Sequence, residues 1–511
     1  MIARIASASL FGIDAMPVDV EAHVSSGLPN FSIVGLPDAA IRESRERVKA
    51  GILNAEFEFP KRRIIVNLAP ADVKKEGPAF DLPIAIGVLA TTRQMSIRRP
   101  GRYVIVGELA LDGSIRRVAG VLAFAILVRD QGLAGLIVPR ENAAEAALVS
   151  GVTVIPVATL YECASFLSCE AEITPYVREG SADSDFIDTI QRDISEVRGQ
   201  QVARRALEIA AAGGHNLLMF GPPGSGKTMM AEAFPGLLPR LTLEEAIETT
   251  RIYSAARTSV TATALVGARP FRSPHHTISD IGLIGGGTVP SPGEISLSHN
   301  GVLFLDEVNE FQKRVLEGLR QPLENGHVTI SRAAGIVRYP SEFILLAAMN
   351  PCPCGYLGDP IVDCSCTPQE IRRYRTRISG PLRDRIDMHV EVARLSRAQL
   401  TSDSAGESSE IVRERVARAR AVQGERFAAV NIKVNARMRN KHLAKFCEMD
   451  EHTKDFLGHA VDRFAMSGRA YSKITAIART IADLSGQRDI SIDHIAEALQ
   501  YRSLDREIKV L

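Results

Sequence analysis

Short apolar runs alternate with helix-like stretches over the first 170 residues. IIVNLA (64–69), YVIVGELAL (103–111) and GLIVP (135–139) have the β-branched content of strands, and the Ala-rich stretches near 82–90 and 119–130 read as helices. That alternation predicts an α/β or α+β block. A second α/β block runs from about 197 to 395, with strand-like LLMF, VLFLD and FILLAAM. Beyond TSDSAGESSE (401–410), a second linker or exposed loop, the pattern is mostly helical to the end. Between the two α/β blocks the apolar pattern stops: residues 170–196 hold eight acids against two bases around EGSADSD, a solvated linker. The expected organisation is an α/β multidomain chain divided at 1–170, 171–196, 197–395 and 396–511.

Composition changes this picture little. The length of 511 residues fits roughly three domains at about 100–200 residues each. Lys+Arg 61 against Asp+Glu 60 excludes a uniformly basic, polyanion-coating protein. The absence of Trp and an aromatic content of 5% argue against a surface built on base stacking. Positive charge is instead local: residues 411–445 carry ten Lys/Arg and two acids, and residues 371–385 six Arg against Asp384. Such runs are ordinarily solvated helix faces, and contact with DNA phosphates is the alternative they leave open. The N-terminus lacks a long apolar stretch, and runs such as 302–305 and 343–348 are strand-sized, far below the roughly 20 residues that span a bilayer. A cytoplasmic protein without a membrane partner is expected.

GPPGSGKT (221–228) follows an apolar strand and precedes a helical stretch, the order a P-loop requires. Gly221, Gly224 and Gly226 let backbone N–H groups turn inward around phosphates, with Pro222, Pro223 and Ser225 completing the loop. Lys227 would reach the β- and γ-phosphates of ATP, and the Thr228 hydroxyl would ligate Mg²⁺. GVLFLDE (301–307) ends a strand in Asp306, placed to hold the Mg²⁺ shell, and Glu307, placed to polarise the attacking water. FILLAAMN ends in Asn350, either a turn residue or the amide that positions that water. RISGPLRDRIDMHV (377–390) sets Arg383 and Arg385 in a turn, either a surface Arg–Asp pair or a guanidinium given to a neighbouring copy's phosphates.

Cys352, Cys354, Cys364 and Cys366 form two Cys-x-Cys pairs around a nine-residue loop. Four thiolates would close a tetrahedral structural Zn²⁺ site; four reduced thiols in a loop are the alternative. His275 and His276 lack a nearby third ligand, and adjacent residues are expected to point in different directions, so they read as structural or insertion-positioning residues.

RPFRSPHHTIS…IGGGTVPSPGEISLSHNGVLFLDE (269–307), LRQPLENGHVTISR (319–332) and AAMNPCPCGYLGD closely resemble magnesium-chelatase-like AAA+ ATPases, most of all the YifB/ComM type, over essentially the whole chain. The resemblance implies an AAA+ core with a helix-2 insert and a C-terminal helical lid. It makes Asn350 sensor 1, Arg385 the trans-acting finger and Arg469 in SGRAYSKITAIARTIADL the sensor 2 arginine. The family pattern has a hydrophobic residue where Arg383 stands. The resemblance also implies a hairpin at about 326–338, bearing His327, Arg332 and Arg338, that projects towards the channel of a ring and offers DNA contacts.

DVKKEGPAFDL (72–82) and residues 107–142 resemble the proteolytic domain of Lon, whose Ser–Lys pair is matched here by Ala79 and Leu122. Neither supplies a nucleophile or a base, so a Lon-like α+β domain without peptidase activity is implied. The function implied is that of a hexameric ATP-driven DNA motor, a helicase that branch-migrates recombination intermediates during natural transformation. A motor subunit for Mg²⁺ insertion into a porphyrin and a protein-remodelling chaperone are the alternatives.

Overall fold

The computed structural model describes residues 2–71, 74–75, 77–99, 101–178, 192–256, 265–287, 290–332, 335–395, 406–430 and 432–504, without the side chains of residues 332 and 335. The centre of the acidic stretch (179–191) and residues 396–405 of the second linker lie outside them.

Two long strands that the apolar pattern did not announce open the chain: β1 (Ile2–Phe11) and β2 (Asp14–Ser25). With β3 (Asn30–Val34) and β4 (Arg63–Ala69) they form a sheet of order β1-β2-β4-β3, antiparallel except for the β3/β4 pair. Helices α1 (Ala39–Asn54) and α2 (Asp81–Thr91) pack on it, and α2 is apolar nearly all round because it is buried on every side. A parallel sheet of β5 (Tyr103–Ile105), β6 (Gly135–Pro139) and β7 (Val154–Val157) completes the block with α3 (Val121–Asp130). The predicted strand over 103–111 is cut short at Gly107, where a Cβ would meet Ile115 at 2.9 Å and Leu82 at 3.1 Å.

The second block is a parallel five-stranded sheet of β8 (Leu217–Phe220), β9 (Phe271–Arg272), β10 (Val302–Leu305), β13 (Ile344–Met349) and β14 (Met388–Glu391), in the order β9-β10-β13-β8-β14. The inner strands are buried on both faces, as their unbroken apolar runs require. Leu217, Met219, Phe304 and Leu346 face one core, shared with α4 (Gln201–Gly213) and the C-terminal helices α9 (Ser409–Phe427), α10 (Gly468–Leu484) and α11 (Ile492–Gln500). Leu218, Phe220, Leu303 and Leu345 face the other, shared with the hairpin β11 (His327–Arg332) and β12 (Gly335–Pro340). The C-terminal helices pack on one another and on α4, and through α4 they join the core on that side of the sheet.

The stretch 171–196 is not a uniform linker. Tyr176 N–H donates to the Val154 carbonyl, while Ile194 is buried in the core of the second block and Asp193 caps the turn before it. The basic run 411–445 is likewise not one face. Arg413, Arg415, Arg426 and Lys433 pair with Glu410, Glu208 and Glu407, Asp483, and Glu245 respectively, because α9 packs against α4 and α10.

The two blocks share a third apolar cluster: Val121, Leu122 and Ala125 of α3 join Leu241, Ala246 and Leu265, with α6 (Leu243–Ala255) supplying Ala246. Leu122 is fully buried there and Ala79 packs against it. The β1–β2 turn reaches farther, to the hairpin. Ile13 lies in the same core as Val328, Ile330, Val337 and Tyr339. Gly12 has φ +68° and sits so close to β12 that a Cβ would meet Val337 Cγ1 at 2.5 Å. Arg251 of α6 fastens the turn through the Ile13 carbonyl and Asp14. Among the described residues no helix is long and apolar enough to cross a membrane.

Candidate active site

Parallel strands direct their carboxyl ends to one edge of a sheet, and the loops leaving those ends build sites there. Here β8 leads into residues 221–226, β10 into Asp306 and Glu307, and β13 into Asn350. Because β13 lies between β8 and β10, Asn350 emerges between the glycine-rich loop and the acidic pair.

Gly221 is confined by the residue just after β14: a Cβ there would meet the Val392 carbonyl at 2.1 Å. Gly224 and Gly226 have φ of +73° and +93°, the left-handed turns that let the loop curl. Lys227 Nζ donates to the Gly221 and Pro222 carbonyls at 2.8 and 2.9 Å and lies 3.5 Å from Asn350 Oδ1. Burial lowers the Lys227 pKa, and Asp306 and Glu307 oppose that shift. Thr228 Oγ1 donates to Asp306 Oδ2 at 2.8 Å, and Asp306 Oδ1 accepts from the Glu307 N–H at 2.9 Å. Glu307 is exposed and held at φ +48°, a strained setting for a residue with a Cβ. The lysine, hydroxyl, two carboxylates and amide expected from the sequence thus meet at one edge.

One neighbour was misjudged in the sequence. His276 Nδ1 lies 4.0 Å from Glu307 Oε2, and the His275 and His276 rings do not diverge but lie side by side, with centroids 4.0 Å apart. The reason is local: Ile278 N–H bonds the His275 carbonyl and the Thr277 hydroxyl meets His275 Nδ1 at 2.9 Å. Strand-like alternation does not hold in such a turn. The position of His276 just beyond β9, next to β10, was the signal that could have found it.

The four cysteines gather with their sulfurs within 4.8 Å of one another. Separations of 3.3, 3.6 and 3.5 Å link Cys352 to Cys354, Cys352 to Cys364, and Cys354 to Cys364. Zn–S bonds of about 2.3 Å in a tetrahedron put sulfurs roughly 3.8 Å apart, so the donor set fits Zn²⁺. The Tyr356 N–H holds the Cys354 thiol down at about 6, while the neighbouring thiols raise Cys364 and Cys366. Their loop rests on the glycine-rich loop: a Cβ on Gly355 would meet Pro223 Cδ at 2.8 Å and approach Asn350 at 4.0 Å.

Arg385 and Arg469 lie together, in a pocket of about 210 Å³ with Asp384, Asp387 and Lys473 that no residue of the 221–228 loop lines. Arg469 pairs with Asp384 at 3.7 Å; Arg385 donates to the Pro381 carbonyl at 2.8 Å and to Glu324. Arg383 does not line this pocket, and its charge bears on buried His389 instead. Beneath, Lys473 Nζ donates to Asp387 at 2.6 Å; burial would raise that carboxyl, and Lys473 and His215 hold it low. In the hairpin, Val328, Ile330, Val337 and Tyr339 face the core, so Arg338 faces solvent, while His327 Nδ1 meets the Asn325 carbonyl at 3.1 Å. The side chain of Arg332 lies outside those described.

Three stretches match families of the same enzyme: residues 193–400 magnesium chelatase, subunit ChlI; 20–142 the subunit ChlI of Mg-chelatase; and 406–502 the ChlI C-terminal region. The competence protein ComM of Haemophilus influenzae is 44% identical over 100% of this chain and 99% of its own length. YifB of Escherichia coli is 41% identical over 97% of this chain and 96% of its own. The magnesium-chelatase 38 kDa subunit of Cereibacter sphaeroides is 24% identical over 31% of this chain and 52% of its own length.

Proposed function

The chain belongs to the ComM/YifB family, built from magnesium-chelatase ChlI-type modules, and from that premise we propose that it is an ATP-driven AAA+ ring motor acting on DNA. One observation carries the reading. Lys227, Thr228, Asp306, Glu307 and Asn350 meet at one edge, whereas Arg385 and Arg469 line a pocket to which the 221–228 loop contributes nothing. Arginines needed for phosphoryl transfer but held away from the chain's own phosphate loop suit an active site completed by a second copy.

In this reading the loop's N–H groups and Lys227 hold the triphosphate, and Thr228 with Asp306 would hold Mg²⁺. Mg²⁺, when bound, neutralises charge on the β- and γ-phosphates. Glu307 takes the proton of the attacking water, His276 steadies Glu307, and Asn350 orients the water against the γ-phosphate. Arg385 of one copy meets the charge developing on its neighbour's nucleotide, with Arg469 beside it; Arg383, which does not line that pocket, is the weaker candidate. Cys352, Cys354, Cys364 and Cys366 would hold Zn²⁺ and stiffen the loop resting on Pro223.

DNA as substrate is supported by the competence protein's likeness over the full chain and by exposed Arg338 on the hairpin, with His327 and Arg332 as further contacts. The reading extends to a hexamer that branch-migrates recombination intermediates in natural transformation, and to the domain division given above, with a Lon-like N-terminal domain that lacks the dyad. A chelatase motor is the second reading, favoured only by the partial likeness to the 38 kDa subunit.

The test measures ATP turnover of the full chain with and without forked DNA, and displacement of a labelled strand. Turnover should rise several-fold with DNA, and displacement should need ATP. Turnover indifferent to DNA but raised by chelatase partner subunits would replace the first reading with the second.

A further inference from the structure

A cavity of about 550 Å³ opens at the other end of the central strands. Gly214 precedes β8, Gly301 precedes β10 and Ile344 begins β13, and all three line it. Strands of this length, rising about 3.3 Å per residue, separate it from the phosphate loop by roughly 13–20 Å. Its other wall comes from α9 and the segment 430–442.

Its charge is one-sided. Arg269, Arg420, Lys433, Arg437, Arg439 and Lys441 line it, against Glu245, Glu324 and Glu342. Glu245 is already shared by Arg269 at 3.0 Å and Lys433 at 3.6 Å, and Glu324 is turned to Arg385. Among the described residues, no ion pair within 4.0 Å joins Arg420, Arg437, Arg439 or Lys441 to a carboxylate; Arg437 donates to the Leu323 carbonyl at 3.0 Å, and Glu342 lines the recess beside them. Arg420 donates Nε and Nη2 to the Ala211 carbonyl at 3.0 and 2.7 Å; burial and the repulsion of Arg269 push its pKa down to about 9 against the attraction of Glu245. Burial and the positive field of Lys441, Arg439 and Lys445 likewise hold His442 low. Six cations line the recess against three carboxylates, two of which are already paired, and a polyvalent anion would offset the repulsion of the excess. The recess is too large for a single small ion, and guanidinium forks match phosphate oxygens.

We propose that this cavity is a second phosphate site, separate from the ATP loop, which takes the phosphates of a phosphodiester chain or a polyphosphate through Arg420, Arg437, Arg439 and Lys441. The experiment uses the full chain carrying Lys227→Ala, which disables the P-loop, with and without Arg439→Gln/Lys441→Gln, both exposed positions. The probes are inorganic tripolyphosphate, by calorimetry, and a labelled single-stranded oligonucleotide, by anisotropy at several salt concentrations. Tripolyphosphate binding should weaken about tenfold in the double glutamine variant. An equal loss for the oligonucleotide, with a salt slope shallower by about 1.4, assigns the site to a nucleic-acid backbone. Loss for tripolyphosphate alone assigns it to a free polyphosphate or nucleotide. Unchanged binding of both probes, in a variant with unaltered thermal unfolding, overturns the proposal. No ATP turnover is read, so this result stands apart from that of the DNA-stimulation assay.

Discussion

At the carboxyl ends of β8, β10 and β13 each polar group comes from the loop directly following its strand, and the groups bond one another within the chain: Thr228 to Asp306, Lys227 to Asn350. At the amino ends, Arg385 and Arg469 come from segments far apart in sequence, and their present partners are the carboxylates Glu324 and Asp384. The first end is assembled by one chain. The second holds its arginines on carboxylates, and in the proposed ring those arginines would be given to a neighbouring copy's nucleotide.

The sharpest way to break this comparison is at the first end. Glu307→Gln should still bind ATP and lower turnover about 10³-fold, measured by steady-state hydrolysis with parallel nucleotide binding. Arg385→Ala should cost a comparable factor, at least about 10²-fold, but with one distinction. Mixing Arg385→Ala with Lys227→Ala chains should restore part of the turnover, because a mixed ring contains some intact interfaces. Failure of mixing to restore any activity would put the arginine in its own chain's site.

A third test concerns the layer beneath the arginines. Burial lowers the His215 pKa from 6.5 to about 4 in the fold. Between those values the unfolded chain binds the proton and the folded chain does not. Its stabilisation is therefore complete above about pH 6.5 and lost as pH falls towards 4, by about 3 kcal/mol. Urea unfolding across that range should show this slope, and His215→Asn should flatten it. The smallest effect is expected at His276. His276→Ala should lower kcat about tenfold with KM nearly unchanged, His276→Gln should recover part of it, and the pH profile should shift. An unchanged kcat and pH profile would remove His276 from its positioning role.

Much of the first end was legible because its chemistry is contiguous: GPPGSGKT and GVLFLDE carry their residues in order, on strands whose apolar runs are unmistakable. The second end was not. That Arg469 would lie beside Asp384, or that Arg415 and Arg426 of the basic run would be taken up by Glu208 and Asp483, depends on how α9 and α10 pack. Strands β1 and β2 escaped notice because IARIASASLF and DAMPVDVEAHVS place small and charged residues where β-branched runs were sought. His276 was misread because a turn, not a strand, sets the direction of its ring.

The contact at Gly12 bears on how the chain would respond to a pull. With no side chain to yield and Val337 lying where its Cβ would stand, the β1–β2 turn acts as a stop behind β12. Ile13, in the same core as Val337, and the Arg251 hydrogen bond to its carbonyl tie that contact to the N-terminal sheet. Displacing β12 would therefore disturb the end of the first sheet as well as the hairpin.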